Sequence, residues 1–208
     1  MQRRKAGHEE SWLLSYADLI TNLLLFFVVL LTAANLNTMK MQQITQSISG
    51  KQSPASLESI RKELEEQIAA KNLQDLVTTT VTDAGLEVSL NSKLVFDSGK
   101  AKIRPEVEET VASMLKELVP YSSKYHFAVE GHTDSTPIVS GGLFASNWEL
   151  SSARAIVVRQ RLEEVGIERS RIRVEGYAET KPLPESLLKG LSEDERLARH
   201  RRVVVRIY

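Results

Sequence analysis

Cysteine is absent from the 208 residues. That excludes disulfides, Cys-ligated zinc, thiol catalysis and lipid attachment through a lipobox. It leaves the compartment open, since a Cys-free chain suits oxidising and reducing spaces alike. Histidine is scarce, and His8, His126, His132 and His200 show no metal-ligand spacing. An excess of either charge is missing too: Lys plus Arg and Asp plus Glu number 27 each, so nothing electrostatic argues for nucleic acid as a partner. No internal repeat at solenoid periods is present. No nucleophile can be matched with a base and an orienting group, which argues against an enzyme.

What is there begins with one long apolar run, SWLLSYADLITNLLLFFVVLLTAANLN, from Ser11 to Asn37. Trp12 to Ala34 would reach roughly 35 Å as a helix, enough to cross a hydrocarbon core of about 30 Å. Its Leu, Ile, Phe and Val residues favour insertion by on the order of −5 kcal/mol. Asp18 opposes this by about 3 kcal/mol at most, so insertion wins with a reduced margin. Arg3, Arg4 and Lys5 precede the run, which predicts a cytoplasmic tail over 1–10, a transmembrane helix over 11–34 and export of the remainder. Ser11, Ser15, Asp18 and Asn22 form one helical stripe with Thr21 beside it. The polar face fills only the cytoplasmic third, below an apolar collar. Such a stripe should face a partner helix or a wet cavity rather than lipid. One helix cannot form an ion path, so a partner with further helices is implied. Two other readings stand beside this one: Asp18 reaching the interface, although Asp is too short to snorkel well, and a signal peptide cleaved near Thr32-Ala33-Ala34, against which weigh the long leading segment with Glu9 and Glu10 and the Asp18 and Asn22 that cleavage leaves unexplained.

Residues 35–74 read as a linker. Leu36, Met41, Ile44 and Ile48 suggest a short amphipathic helix, which GKQSP (Gly50 to Pro54) would break. From Ser56 to Leu73 the spacing of Leu57, Ile60, Leu64 and Ile68 predicts a second helix with one apolar face. The segment is either a solvated connector or a regulatory plug that lies on the membrane or occludes a pathway.

Residues 75–208 read as one α+β domain, a mixed sheet with helices on one face. Leu76–Thr82 and Gly85–Leu90 predict strands joined through Asp83-Ala84. Pro105 opens a helix to Val119. HFAVE (His126 to Glu130) is a short strand. Ser146 and Glu149 form a capping box for a helix running to about Val165 and stopped by Gly166. Arg171–Glu175 and Arg202–Ile207 are the last strands.

VEGHTDSTPI (Val129 to Ile138), SNWELSSARA (Ser146 to Ala155), RIRVEGYAETKPL (Arg171 to Leu183) and RRVVVRI together resemble an OmpA-like peptidoglycan-binding domain. SYADLIT within a single N-terminal span resembles the B subunit of flagellar stators, the MotB/PomB type. The resemblance implies a single-pass protein of the bacterial inner membrane with a periplasmic domain. It implies no cofactor, the carried ion (H⁺ or Na⁺) being cargo. The implied partners are a second copy of this chain, peptidoglycan, a multi-helix MotA/PomA-like subunit (five copies around two of this chain) and, indirectly, a rotor protein. Position by position, it implies ion binding at Asp18 with Thr21, and peptidoglycan binding at Asp134 with Thr133 and Arg154. His200 stands where the family usually has Asn before two Arg residues. The linker is compact for a flagellar stator, so a passive tether, or the same motor driving gliding, secretion or defence, stands as an alternative.

Residue chemistry runs in the same direction. A guanidinium binds a carboxylate through two parallel charge-assisted bonds, and a nearby carboxylate can take an ammonium. Arg154 and Asp134 would suit the zwitterionic end of a peptidoglycan stem, unless they pair with each other. His132 is expected to cap its loop. A carboxylate in low dielectric is driven to take up a proton or small cation, and that equilibrium can bias packing against a partner.

Overall fold

The computed structural model describes residues 11–34, 56–138 and 142–208. The chain divides into two units, Met1–Pro54 and Ala55–Tyr208. In the first, α1 (Ser11–Ala34) is the one helix among the described residues long and apolar enough to cross a membrane. The amphipathic helix and plug expected over 35–50 lie outside the described residues.

The second unit runs α2 (Leu57–Ala70), β1 (Val77–Thr82), β2 (Gly85–Asn91), a one-turn α3 (Ser92–Val95), α4 (Pro105–Lys116), β3 (Phe127–His132), α5 (Asn147–Glu164), β4 (Ile172–Ala178), α6 (Glu193–His200) and β5 (Arg202–Ile207). The sheet order is β1-β2-β5-β3-β4. All pairings are antiparallel except β3 with β4, which α5 connects as a βαβ crossover. Alternation sorts the two faces. Leu86, Val88 and Leu90, Phe127 and Val129, and Val203, Val205 and Ile207 point into one buried core. α4 and α5 close that core with Val111, Met114 and Leu115 and with Ala155, Val158 and Leu162.

The sequence reading ends the linker at 74 and starts the domain at 75. The packing starts it earlier. Ile60, Leu64 and Ile68 of α2 are buried in the same core, and α2 lies against β1 and β2. Burying those three side chains contributes roughly 6 kcal/mol, which a free tether would forgo. Ser56 caps α2, its Oγ accepting from Ser59 N–H at 3.2 Å. β3 and β4 each extend past the expected ends, β3 to His132 and β4 to Ala178.

Two glycines in register let α5 sit close. Val129-Glu130-Gly131 on β3 and Val174-Glu175-Gly176 on β4 are side by side in the parallel ladder. A Cβ on Gly131 would lie 2.0 Å from the Ser151 carbonyl oxygen, and one on Gly176 2.1 Å from Ser152 Oγ. The repeated VEG triplet is therefore a packing device as well as a strand.

Candidate functional site

In the first unit the stripe residues lie on a helix whose described side chains are all exposed within the chain. Trp12 is 62% and Leu24 66% exposed. Thr21 Oγ1 donates back to the carbonyls of Ala17 and Asp18, both at 3.0 Å. With its proton directed along the helix, that hydroxyl presents lone pairs outward. Asp18 and Thr21 thus share a turn, as the sequence predicts.

In the second unit the candidate residues gather where β3 runs into the loop before α5. Thr133 N–H donates to Ala178 O at 2.9 Å, tying the strand end to β4. Asp134 follows, only 6% exposed. Its Oδ1 accepts from Thr136 N–H at 3.0 Å, the turn chemistry typical of Asp. Asn147, the first residue of α5, pins the same loop: its Nδ2 donates to Thr136 O at 3.0 Å and Asp134 O at 3.4 Å. Ser146 Oγ accepts from Glu149 N–H at 3.3 Å, but Glu149 Oε2 accepts from Ala145 N–H at 2.9 Å rather than from the cap residue itself. The expected capping box is displaced by one residue.

Arg154, 4% exposed, comes up from α5 beneath this loop. Its Nε donates to Lys100 O at 2.9 Å and its Nη2 to Asp97 O at 3.2 Å, with the guanidinium 5.1 Å from the centre of the Phe96 ring. Burial lowers its pKa to about 10; the like charge of Arg201 adds to this and Asp134 opposes it. Sequence reasoning left open a direct pair between Asp134 and Arg154. The ion-pair partner is instead Arg201, which donates from Nη1 to Asp134 Oδ2. Arg201 sits at the entry to β5, and β5 lies beside β3. Its signal was the Arg-Arg pair before the last strand, but only the strand order reveals the contact.

The corner therefore holds one acid, two guanidinium groups and the buried Thr133 hydroxyl, whose Oγ1 has no hydrogen-bond partner among the described residues. A carboxylate flanked by guanidinium groups, with a spare hydroxyl, can exchange its internal partner for a ligand bearing both an ammonium and a carboxylate.

His132 does not cap the loop. It is 2% exposed, inside β3, with its ring stacked on Tyr177 at 5.4 Å and Nε2 3.5 Å from Glu130 Oε2. Burial holds it neutral by lowering its pKa, Glu130 opposing and Arg202 and Lys181 adding to the effect. His200, in place of the family's Asn, accepts from Leu183 N–H through Nδ1 at 3.2 Å. An amide oxygen can accept the same bond.

Two family models match. Residues 1–51 match "Membrane MotB of proton-channel complex MotA/MotB" and residues 95–189 match the OmpA family. Motility protein B of Bacillus subtilis (strain 168) is 27% identical over 246 residues, covering 94% of each chain. The chain belongs to the MotB-like family. Among solved structures, a MotB-like protein from Desulfovibrio vulgaris superposes with a TM-score of 0.64 at 20% identity, over 73% of this chain and 92% of that one. The cell wall anchor of the T6SS from Pseudomonas aeruginosa gives 0.59 at 27% identity, over 71% and 98%. This MotB-like chain thus joins one N-terminal apolar helix to an OmpA-like domain with a mixed sheet.

Proposed function

We propose that the chain is the wall-anchored subunit of an ion-driven motor in the bacterial inner membrane. α1 crosses the bilayer once with its N-terminus in the cytoplasm, and Asp18 takes up and releases H⁺ or Na⁺ with Thr21 offering its lone pairs. A multi-helix MotA-type subunit, five copies around two of this chain, covers the apolar helix and passes torque to a rotor. The OmpA-like domain grips peptidoglycan in the periplasm through Asp134, Arg154 and Thr133, so that ion flow does work against a fixed point. One observation carries the reading: a lone carboxylate on an apolar helix uncovered by its own chain, in the same polypeptide as an OmpA-like domain.

The test is Asp18→Asn in the full chain, co-produced with its multi-helix partner. Ion-dependent activity should fall to background while sedimentation with purified sacculi stays unchanged. Retained activity would reduce the protein to a passive tether. A second reading, the same engine with a non-flagellar output, is favoured by the likeness to the T6SS wall anchor across 98% of that chain. A motility assay on a deletion strain separates the two outputs.

A further inference from the structure

The sheet face opposite the α2, α4 and α5 layer is not bare. Lys181–Pro184, Leu187 and the end of α6 come over it and leave a groove of about 880 Å³. Alternation puts Thr78, Thr80 and Thr82 of β1 and Ser89 of β2 along one wall. The opposite wall is cationic. Arg201 is committed to Asp134, and Arg206 to Glu130 and Glu175. Arg202, Lys181 and Arg199 have no carboxylate within ion-pairing distance among the described residues.

Arg202 is the centre of this wall. Its cross-strand neighbours are Asn91 on β2 and His132 on β3, both uncharged in the fold. Its Nη1 donates to His200 O at 3.3 Å and its Nη2 to Lys181 O at 3.1 Å. Those carbonyls orient the guanidinium without neutralising it, and three of its five N–H groups remain. The same carbonyl contact places Lys181 beside it, with Nζ 3.4 Å from the centre of the Tyr177 ring. His132 lines the groove with Nε2 3.5 Å from Glu130 Oε2, and neither ring nitrogen makes a well-formed hydrogen bond among the described residues. Glu87 and Glu130 act on Arg202 only through space, so this half-buried guanidinium has no directly bonded counter-ion and is left for a ligand to pair. Asp75, Glu87 and Glu130 line the groove as well, but Glu87 stands level with Arg206, four residue pairs along the ladder from Arg202, and Glu130 is paired with Arg206.

We propose that this groove is a second ligand site, for a phosphate ester of a polyol, with the phosphate on Arg202, Lys181 and His132 and the polyol along the threonine and serine hydroxyls. A phosphate matches the two adjacent cations, Arg202 and Lys181, and offers three or four acceptor oxygens. The hydroxyl wall matches the alcohol groups of a sugar or glycerol. The site adjoins the Asp134 corner, with Arg201 at the boundary, but its phosphate ligands are other residues and it does not depend on the peptidoglycan reading.

The test uses the full chain in maltoside micelles, free of lipid phosphate. Inorganic phosphate, glycerol 3-phosphate and a poly(glycerol phosphate) are titrated at constant ionic strength, with acetate as the control anion and the His132 ring NMR signals as reporter. Saturable shifts with the phosphates and not with acetate are expected. Arg202→Gln and the surface substitution Lys181→Gln should each weaken binding about tenfold or more. Asp134→Asn should leave phosphate binding intact even where it abolishes sedimentation with sacculi. Tighter binding of the polymer would point to a wall polymer as the source, and tighter binding of the monoester to a soluble metabolite. Acetate acting as well as phosphate, no saturation, or Lys181→Gln binding like the unaltered chain would overturn the proposal.

Discussion

α1 and α2 are both rich in aliphatic residues, and they dispose of them in opposite ways. α1 leaves its Leu, Phe and Val side chains exposed along the described length, whereas α2 buries Ile60, Leu64 and Ile68 completely or nearly so. The core of the second unit is closed, and even Asp134 has an internal counter-charge. In the first unit Asp18 and the apolar surface of α1 have no cover among the described residues; under the proposed function lipid and a protein partner supply it. The proposed function, with a partner at one end and rigidity at the other, rests on that contrast.

The contrast breaks most readily at the point of closest packing. Gly131→Ala places a methyl group against the Ser151 backbone, where no flexible side chain can yield. The expected cost is about 3 kcal/mol or more in the urea unfolding of the second unit. A change under about 1 kcal/mol would mean that α5 can lift from β3 freely, and the idea of a rigid corner would fail.

Next in size is a matched truncation in the two helices. Leu64→Ala should cost about 2–3 kcal/mol in the same unfolding transition, because α2 belongs to the core. Leu24→Ala, on α1, should leave that transition where it was. Equal, negligible effects would return α2 to the linker.

Much of this is legible in the sequence alone. The strand alternation of Leu86, Val88 and Leu90 identifies the core face, Pro105 and Ser146 mark helix starts, and Asp134 with Thr133 lies where a strand becomes a loop. What could not be read needs contacts distant in sequence. The period of α2 says that it has an apolar face, not whether that face meets membrane, partner or sheet. Arg201 lies 67 residues from Asp134, and their pairing exists only because β5 lies beside β3. The two VEG triplets are visible as a repeat, but their use requires the parallel register that sets Gly131 against Gly176.

A smaller effect comes from protons. His132 has its pKa lowered in the fold, by burial first, so between the unfolded value near 6.5 and the folded one the unfolded chain binds the extra proton. Stability is then full above about pH 6.5 and falls on acidification, by no more than about 1.4 kcal/mol per pH unit for this one group. His200, also lowered by burial, acts in the same direction. Glu130 extends the loss below its ordinary range: burial alone would raise its pKa, but His132 and Arg206 together hold it lower. Urea midpoints measured from pH 7.5 to 5 should slope accordingly in the intact chain and less steeply in His132→Gln. An unchanged slope would show that the ring takes up its proton inside the fold.

The least change is expected at the position where this chain departs from its family. His200 serves as an acceptor for Leu183 N–H, and its neutral form is favoured by burial and by the nearby Arg202 and Arg196. His200→Asn keeps an acceptor of similar reach, so stability at pH 7.5 should stay within about 0.5 kcal/mol. His200→Leu removes the acceptor and leaves the Leu183 amide without it, at a cost of about 1 kcal/mol. Hydrogen exchange at the Leu183 amide separates the two: slow in the Asn variant, fast in the Leu variant. If both variants exchange alike, the contact does not hold the 181–184 segment over the sheet, and that segment is kept in place by Arg202 and its bond to the Lys181 carbonyl instead.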